Sequence, residues 1–174
     1  FTHLGNGIPR ALDRHDNVLW RVLDAGGLAI GLIPDGIHVS PALFRLMHRL
    51  SGDTYYTTDA IAAAGSPPGR YTIGGIALEV GADQVVREQG KSNFAGSALA
   101  PLQGVLRAAR MLGCSWQDPW LRASLAPRQL IGLADPLAIG QPADFCVIEG
   151  DREPRVVAVF ADGVEVARHQ SPSG

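Results

Sequence analysis

Short apolar runs, each closed by turn formers, alternate with helical stripes over the first two thirds of this chain, and few architectures satisfy that alternation. Leu28-Ala29-Ile30-Gly31-Leu32-Ile33 reads as a buried strand, preceded by a short helix over 17–25 that Gly26-Gly27 stops. Ser40 followed by Pro41 opens a second helix, with Leu43, Leu46, Met47 and Leu50 on one stripe. Residues 55–58 form the next strand, ending at Asp59. Strands separated by helices pair in parallel through crossover connections, so the pattern predicts an α/β core.

Further along, residues 65–75 form a breaker-rich segment expected to cross the mouth of the fold. Residues 76–80 and 84–86 are expected to form a hairpin about Gly81-Ala82-Asp83. Leu102, Val105, Leu106, Ala109 and Leu112 make another helical stripe, and Ser115 can cap a helix running through Ala126. The character then changes. Asp144-Phe145-Cys146-Val147-Ile148, Val156-Val157-Ala158-Val159-Phe160 and Val164-Glu165-Val166, with Asp162-Gly163 at a turn, are antiparallel signals. Two domains are therefore expected, 1–136 and 137–174.

Composition excludes several classes of function. A formal charge of −2 with 18% charged residues supplies no basic field, so nucleic acid is excluded as a partner. No uncharged apolar run nears the roughly 18 residues of a membrane span, so no membrane partner is expected. Two cysteines, Cys114 and Cys146, form neither a disulfide framework nor a metal finger, which points to a reducing compartment and the cytoplasm. The chain opens on Phe1 and not on Met, so further sequence is expected upstream.

Three expected strand ends carry polar groups: His3 with Asn6, Asp35 with His38, and Asp59. In parallel α/β folds, the loops after the strands gather binding and catalytic groups. His3 could bind a metal, move a proton or donate a hydrogen bond; its alternative is a structural or surface imidazole. Asp59 could act in catalysis, or could cap the Ala-rich stretch 60–64. Arg14 alone would be a solvated loop cation. His48, on a helix, and His169, in the polar tail, read as surface groups.

Thr2-His3-Leu4-Gly5-Asn6-Gly7-Ile8-Pro9, Asp35-Gly36-Ile37-His38-Val39 and Thr58-Asp59-Ala60-Ile61-Ala62-Ala63-Ala64-Gly65 occur together in order. With them come Pro68-Gly69-Arg70-Tyr71-Thr72-Ile73-Gly74-Gly75, Ala95-Gly96-Ser97-Ala98-Leu99 and Ile139-Gly140-Gln141-Pro142-Ala143-Asp144-Phe145. The set resembles N-acetylglucosamine-6-phosphate deacetylases of the amidohydrolase superfamily, specifically their carboxyl-terminal half. The resemblance implies the later part of a (β/α)8 TIM-type barrel plus a small carboxyl-terminal β module. It implies metal-dependent hydrolysis of the N-acetyl amide, giving acetate and glucosamine-6-phosphate. Asp59 resembles the catalytic carboxylate and His3 a ligand of the divalent metal, zinc by expectation. Asn6, Gly7 and His38 resemble groups that meet a phosphorylated amino sugar. Arg14 matches an arginine that reaches the phosphate of the neighbouring subunit, so a homo-oligomer, a dimer, is implied.

The chain departs from the pattern at Gly5, Gly7 and His15-Asp16, which leaves open an amidohydrolase acting on another N-acyl substrate. The family places further metal ligands, a Glu and a His, upstream of the segment that opens this chain. One His and one Asp fall short of the three protein ligands of a catalytic zinc, so the chain alone is expected to be inactive. A non-catalytic phosphosugar-binding or assembly module is the alternative from another class.

Overall fold

The computed structural model describes residues 1–9 and 11–169. The chain divides into two compact units, Phe1–Pro127 and Arg128–Gly174.

The first unit is α/β. Helix α1, Val18–Asp24, starts where the Asn17 side chain accepts the N–H groups of Leu19 and Trp20, as its cap position predicts. Strand β1, Ile30–Leu32, is buried on both faces and pairs in parallel with β2, Thr54–Tyr56. Between them runs α2, Pro41–Leu50, capped by the Ser40 hydroxyl on the Leu43 N–H. The backbone of 1–4 continues the pairing, because the Gly31 N–H donates to the Phe1 carbonyl and the Leu4 N–H to the Gly31 carbonyl, at 2.8 and 2.9 Å. On the far side, a parallel bridge joins Ala60 to Ser97.

Phe44 and Met47 of α2, each 0% exposed, pack with Leu4, Leu32, Val39 and Tyr56 into the main core. The stripe expected on α2 therefore needs correction: Phe44 leads it, and Leu50 is 55% exposed. His48 also departs from its expected surface position. Its ring stacks 6.3 Å from that of Phe44 and lies 6.3 Å from that of Tyr56, and its Nε2 is buried without a hydrogen-bond partner. Burial, reinforced by the nearby Arg122 charge, lowers the His48 pKa against the opposing pull of Asp118.

The breaker-rich segment is not a loop throughout. Strand β3, Gly69–Ile73, turns at Gly74-Gly75 into β4, Ile76–Val80, which pairs with β5, Val85–Glu88, and then β6, Phe94–Ser97. The β4–β5 hairpin follows the sequence expectation. The four strands are antiparallel, and Leu78, Val80 and Val86 bury a second core with Ala63 and Ala98. Helix α3, Pro101–Leu112, buries Val105 and Ala108 and ends at Gly113 in the left-handed conformation. Helix α4, Gln117–Leu130, begins two residues after Ser115 and runs beyond Ala126.

The second unit is a three-stranded antiparallel sheet of β7, Phe145–Glu149, β8, Arg155–Ala161, and β9, Val164–Arg168. Phe145 and Phe160 stack directly across β7 and β8, with centroids 4.5 Å apart. Among the described residues, no helix is long and apolar enough to cross a membrane.

Candidate active site

His3 and Asp59 share an unusual backbone feature. Both lie in the left-handed region, with φ of 38° and 49°, which side chains other than glycine rarely adopt. Such conformations cost about 1–3 kcal/mol each and persist where the surroundings over-determine them. At His3, the carbonyl accepts the Asn6 N–H at 3.0 Å, closing a tight turn. At Asp59, the carbonyl accepts the Ser97 N–H at 2.9 Å, and the Ser97 hydroxyl donates to the Thr58 carbonyl at 2.6 Å.

Close packing explains two glycines here. A Cβ on Gly5, whose φ is +93°, would lie 2.4 Å from Val39 Cγ1, so the turn carrying His3 and Asn6 sits directly on the core. A Cβ on Gly96, at φ +80°, would lie 2.6 Å from Ile61 Cγ2 and 3.3 Å from the Asp59 carbonyl oxygen.

The Asn6 side-chain amide donates to Asp59 Oδ2 at 3.1 Å, joining motifs 53 residues apart. Asp59 Oδ1 takes no hydrogen bond among the described residues. His3 Nδ1 is buried and without a partner, which costs about 1–3 kcal/mol unless a bound group supplies the missing bond. A carboxylate fixed at one oxygen thus connects, through Asn6, to the turn of a histidine with an unused nitrogen.

His38 and Asp35 form a buried pair. Their side chains are 4% and 2% exposed, and His38 Nδ1 lies 2.6 Å from Asp35 Oδ2. Asp35 Oδ1 accepts the N–H groups of Ile37 and His38 at 2.8 and 3.0 Å. Burial pushes the Asp35 carboxyl up, but the His38 hydrogen bond, the two amides and the His38 charge outweigh it and hold it below its ordinary value. Arg107 of α3 donates to the Asp35 carbonyl at 3.1 Å.

The other expected contacts are open to solvent. Gly7 is exposed, with φ +68° and nothing within 4 Å of a Cβ. Arg14 is exposed in the loop before α1, where its carbonyl accepts the Trp20 indole N–H at 3.1 Å. His15 and His169 are exposed as well.

For a divalent metal, His3 supplies a free buried nitrogen and Asp59 an available carboxylate oxygen, so both fit a ligand's chemistry. Among the described residues, no three His, Cys, Asp or Glu side chains stand together as a metal site. The donors present fit part of a site. The sequence did not single out Ser97, which holds the Asp59 carbonyl, or Phe94, which lies against His38; Ser97 was visible only within its matching string.

No family model matches the chain. It is 31% identical over 153 residues to N-acetylglucosamine-6-phosphate deacetylase of Vibrio furnissii, a match covering 86% of this chain and 38% of that protein. The Bos taurus enzyme of the same name is 34% identical over 137 residues, covering 76% and 33%. Among solved structures, the Mycobacterium smegmatis N-acetyl-D-glucosamine-6-phosphate deacetylase superposes with a TM-score of 0.81 at 30% identity, covering 95% of this chain and 45% of that one. A variant of that enzyme, in complex with N-acetyl-D-glucosamine-6-phosphate, gives 0.80. The chain thus spans well under half the length of the relatives it matches. By sequence and by fold, nearly the whole of this chain is homologous to a portion of the N-acetylglucosamine-6-phosphate deacetylases.

Proposed function

We propose that this chain is the part of an N-acetylglucosamine-6-phosphate deacetylase that carries the catalytic carboxylate, Asp59, and the groups that meet the phosphorylated sugar. The observation that carries the reading is the Asn6–Asp59 hydrogen bond, which unites a substrate-contacting motif with the carboxylate motif. Asp59 Oδ1 takes a proton from the attacking water and returns it to the leaving amine, while Asn6 holds Oδ2. Asn6, the Gly7 N–H and His38 receive the phosphosugar. His3 is one ligand of a divalent metal, zinc, whose remaining ligands lie upstream in a longer polypeptide. When bound, such a metal polarises the amide carbonyl and lowers the pKa of water.

The same reading makes the first unit the later part of a (β/α)8 barrel, with residues 137–174 as the small β module. Supporting it are the parallel rows 1–4, β1 and β2, with α2 as crossover. Cys114 and Cys146 are both free thiols, which suits the cytoplasm.

Acetate release from N-acetylglucosamine-6-phosphate is the test. The 174-residue chain alone, with zinc added, is expected to show no turnover. A metal-dependent rate within the usual enzyme range of about 1–1000 per second would overturn the partial-site reading.

Arg14 reaches from its exposed loop toward the phosphate of a neighbouring subunit in a dimer. A guanidinium binds phosphate through two parallel hydrogen bonds, and charged hydrogen bonds contribute about 1.5–3 kcal/mol. Arg14→Ala in the complete enzyme is therefore expected to raise KM for the phosphosugar by roughly 10- to 150-fold. The unphosphorylated N-acetyl sugar should be nearly indifferent. Equal effects on both substrates would give Arg14 a structural role.

A further inference from the structure

His38 presents a buried imidazole with one nitrogen satisfied and one not: Nδ1 meets Asp35 Oδ2 at 2.6 Å, and Nε2 is buried with no partner. The side chain is 4% exposed, so bulk water does not serve Nε2. An unmet buried polar atom beside a carboxylate whose two oxygens are both engaged points to a bound group that completes it. Phe94 of β6 lies against the ring, its centroid 5.2 Å away at 73°.

We propose that Asp35 is the positioning residue of the phosphosugar site, fixing the proton of His38 on Nδ1 so that Nε2 is the nitrogen offered to the ligand. An ionised carboxylate only accepts hydrogen bonds, so its partner nitrogen must carry the hydrogen. The two amides on Asp35 Oδ1 fix the carboxylate plane, leaving Oδ2 to the imidazole. The lowered pKa of Asp35 agrees with its ionised state. This arrangement is second-tier support of the kind that sets the tautomer of ligating histidines. The ligand's identity rests on the deacetylase reading; the proton placement rests on the geometry alone.

Asp35→Asn separates the two. Asn Oδ1 can keep both amides, which places its NH2 group against His38 Nδ1. A donor there forces the imidazole to accept at Nδ1 and carry its proton on Nε2. The tautomer should invert.

Nitrogen-15 spectra of the histidine-labelled 174-residue chain read each ring nitrogen directly. His38→Gln assigns the signals among the five histidines. Wild type is expected to show protonated Nδ1 and bare Nε2, and Asp35→Asn the reverse. A bare Nδ1 in wild type overturns the proposal even if the variant fails to fold, and so does an unchanged tautomer in a folded variant. A purely structural role for Asp35 would weaken binding without inverting the tautomer. Added N-acetylglucosamine-6-phosphate should shift wild-type Nε2 and bind about tenfold more weakly to Asp35→Asn, since an Nε2 that carries a hydrogen no longer accepts one from a sugar hydroxyl or amide N–H. Inorganic phosphate, as a second probe, should shift Nε2 less than the phosphosugar does, because a phosphate dianion offers mainly acceptors to a nitrogen that itself accepts; an equal shift would contradict a bare Nε2. The expected tautomers with no response to the phosphosugar would keep Asp35 as the positioning residue and remove the phosphosugar reading.

Discussion

Asp59→Asn is expected to lower the turnover number of the complete enzyme by about 10²- to 10⁴-fold, the usual contribution of a general acid–base group. Asn preserves the shape, and a flipped amide can still meet Asn6, so the left-handed turn and its Ser97 hydrogen bond should survive. What is lost is the ability to take and return a proton. Phosphosugar binding should stay within a few-fold, because Asn6, Gly7 and His38 are untouched. Steady-state kinetics on the two proteins separate these outcomes: an unchanged turnover number would leave Asp59 a structural partner of Asn6, since residues 60–64 form a turn and no helix for it to cap.

Phe44→Ala is expected to destabilise the chain by about 3–5 kcal/mol, measured as a shift in the denaturant midpoint at constant slope. Phe44 is fully buried, and its ring lies 5.7 Å from that of Tyr56 on β2, so its removal leaves a cavity away from solvent. The consequence reaches the site. Val39 belongs to the same core and sits directly beneath Gly5, so a loosened core releases the turn that carries His3 and Asn6. A loss below about 1 kcal/mol would show that the core collapses freely around the cavity.

Local chemistry made much of this fold legible. Asn17 and Gly26-Gly27 bracket α1, and Ser40-Pro41 opens α2, because caps and breakers act within one turn. The β4–β5 hairpin and the β7–β9 sheet follow from alternation and turn residues. Strand β3 escaped notice because Pro67, Pro68, Gly69, Gly74 and Gly75 crowd its ends and hide the alternation of Tyr71 with its neighbours. His48 was misplaced for a different reason: its burial depends on Phe44 and Tyr56, the second on another element, which helical periodicity does not reveal.

The site shows the same division. Polar residues at strand ends marked His3, Asn6, Asp35, His38 and Asp59, because α/β topology concentrates function there. Their connections were not legible. The Asn6–Asp59 bond spans 53 residues, and the support from Ser97 arrives from an antiparallel sheet whose docking against the parallel pair no local signal encodes. Asp35 and His38 are three residues apart, yet only the folded loop shows that the carboxylate divides its oxygens between two amides and one imidazole.

The central claim is that His3 and Asp59 complete a catalytic site whose other metal ligands come from upstream sequence. Fusing the unmatched upstream portion of the Mycobacterium smegmatis deacetylase to this chain tests it, with acetate release from N-acetylglucosamine-6-phosphate as the readout. The account predicts metal-dependent release that requires both His3 and Asp59; a folded fusion that releases no acetate, or one whose release survives Asp59→Asn, would contradict it.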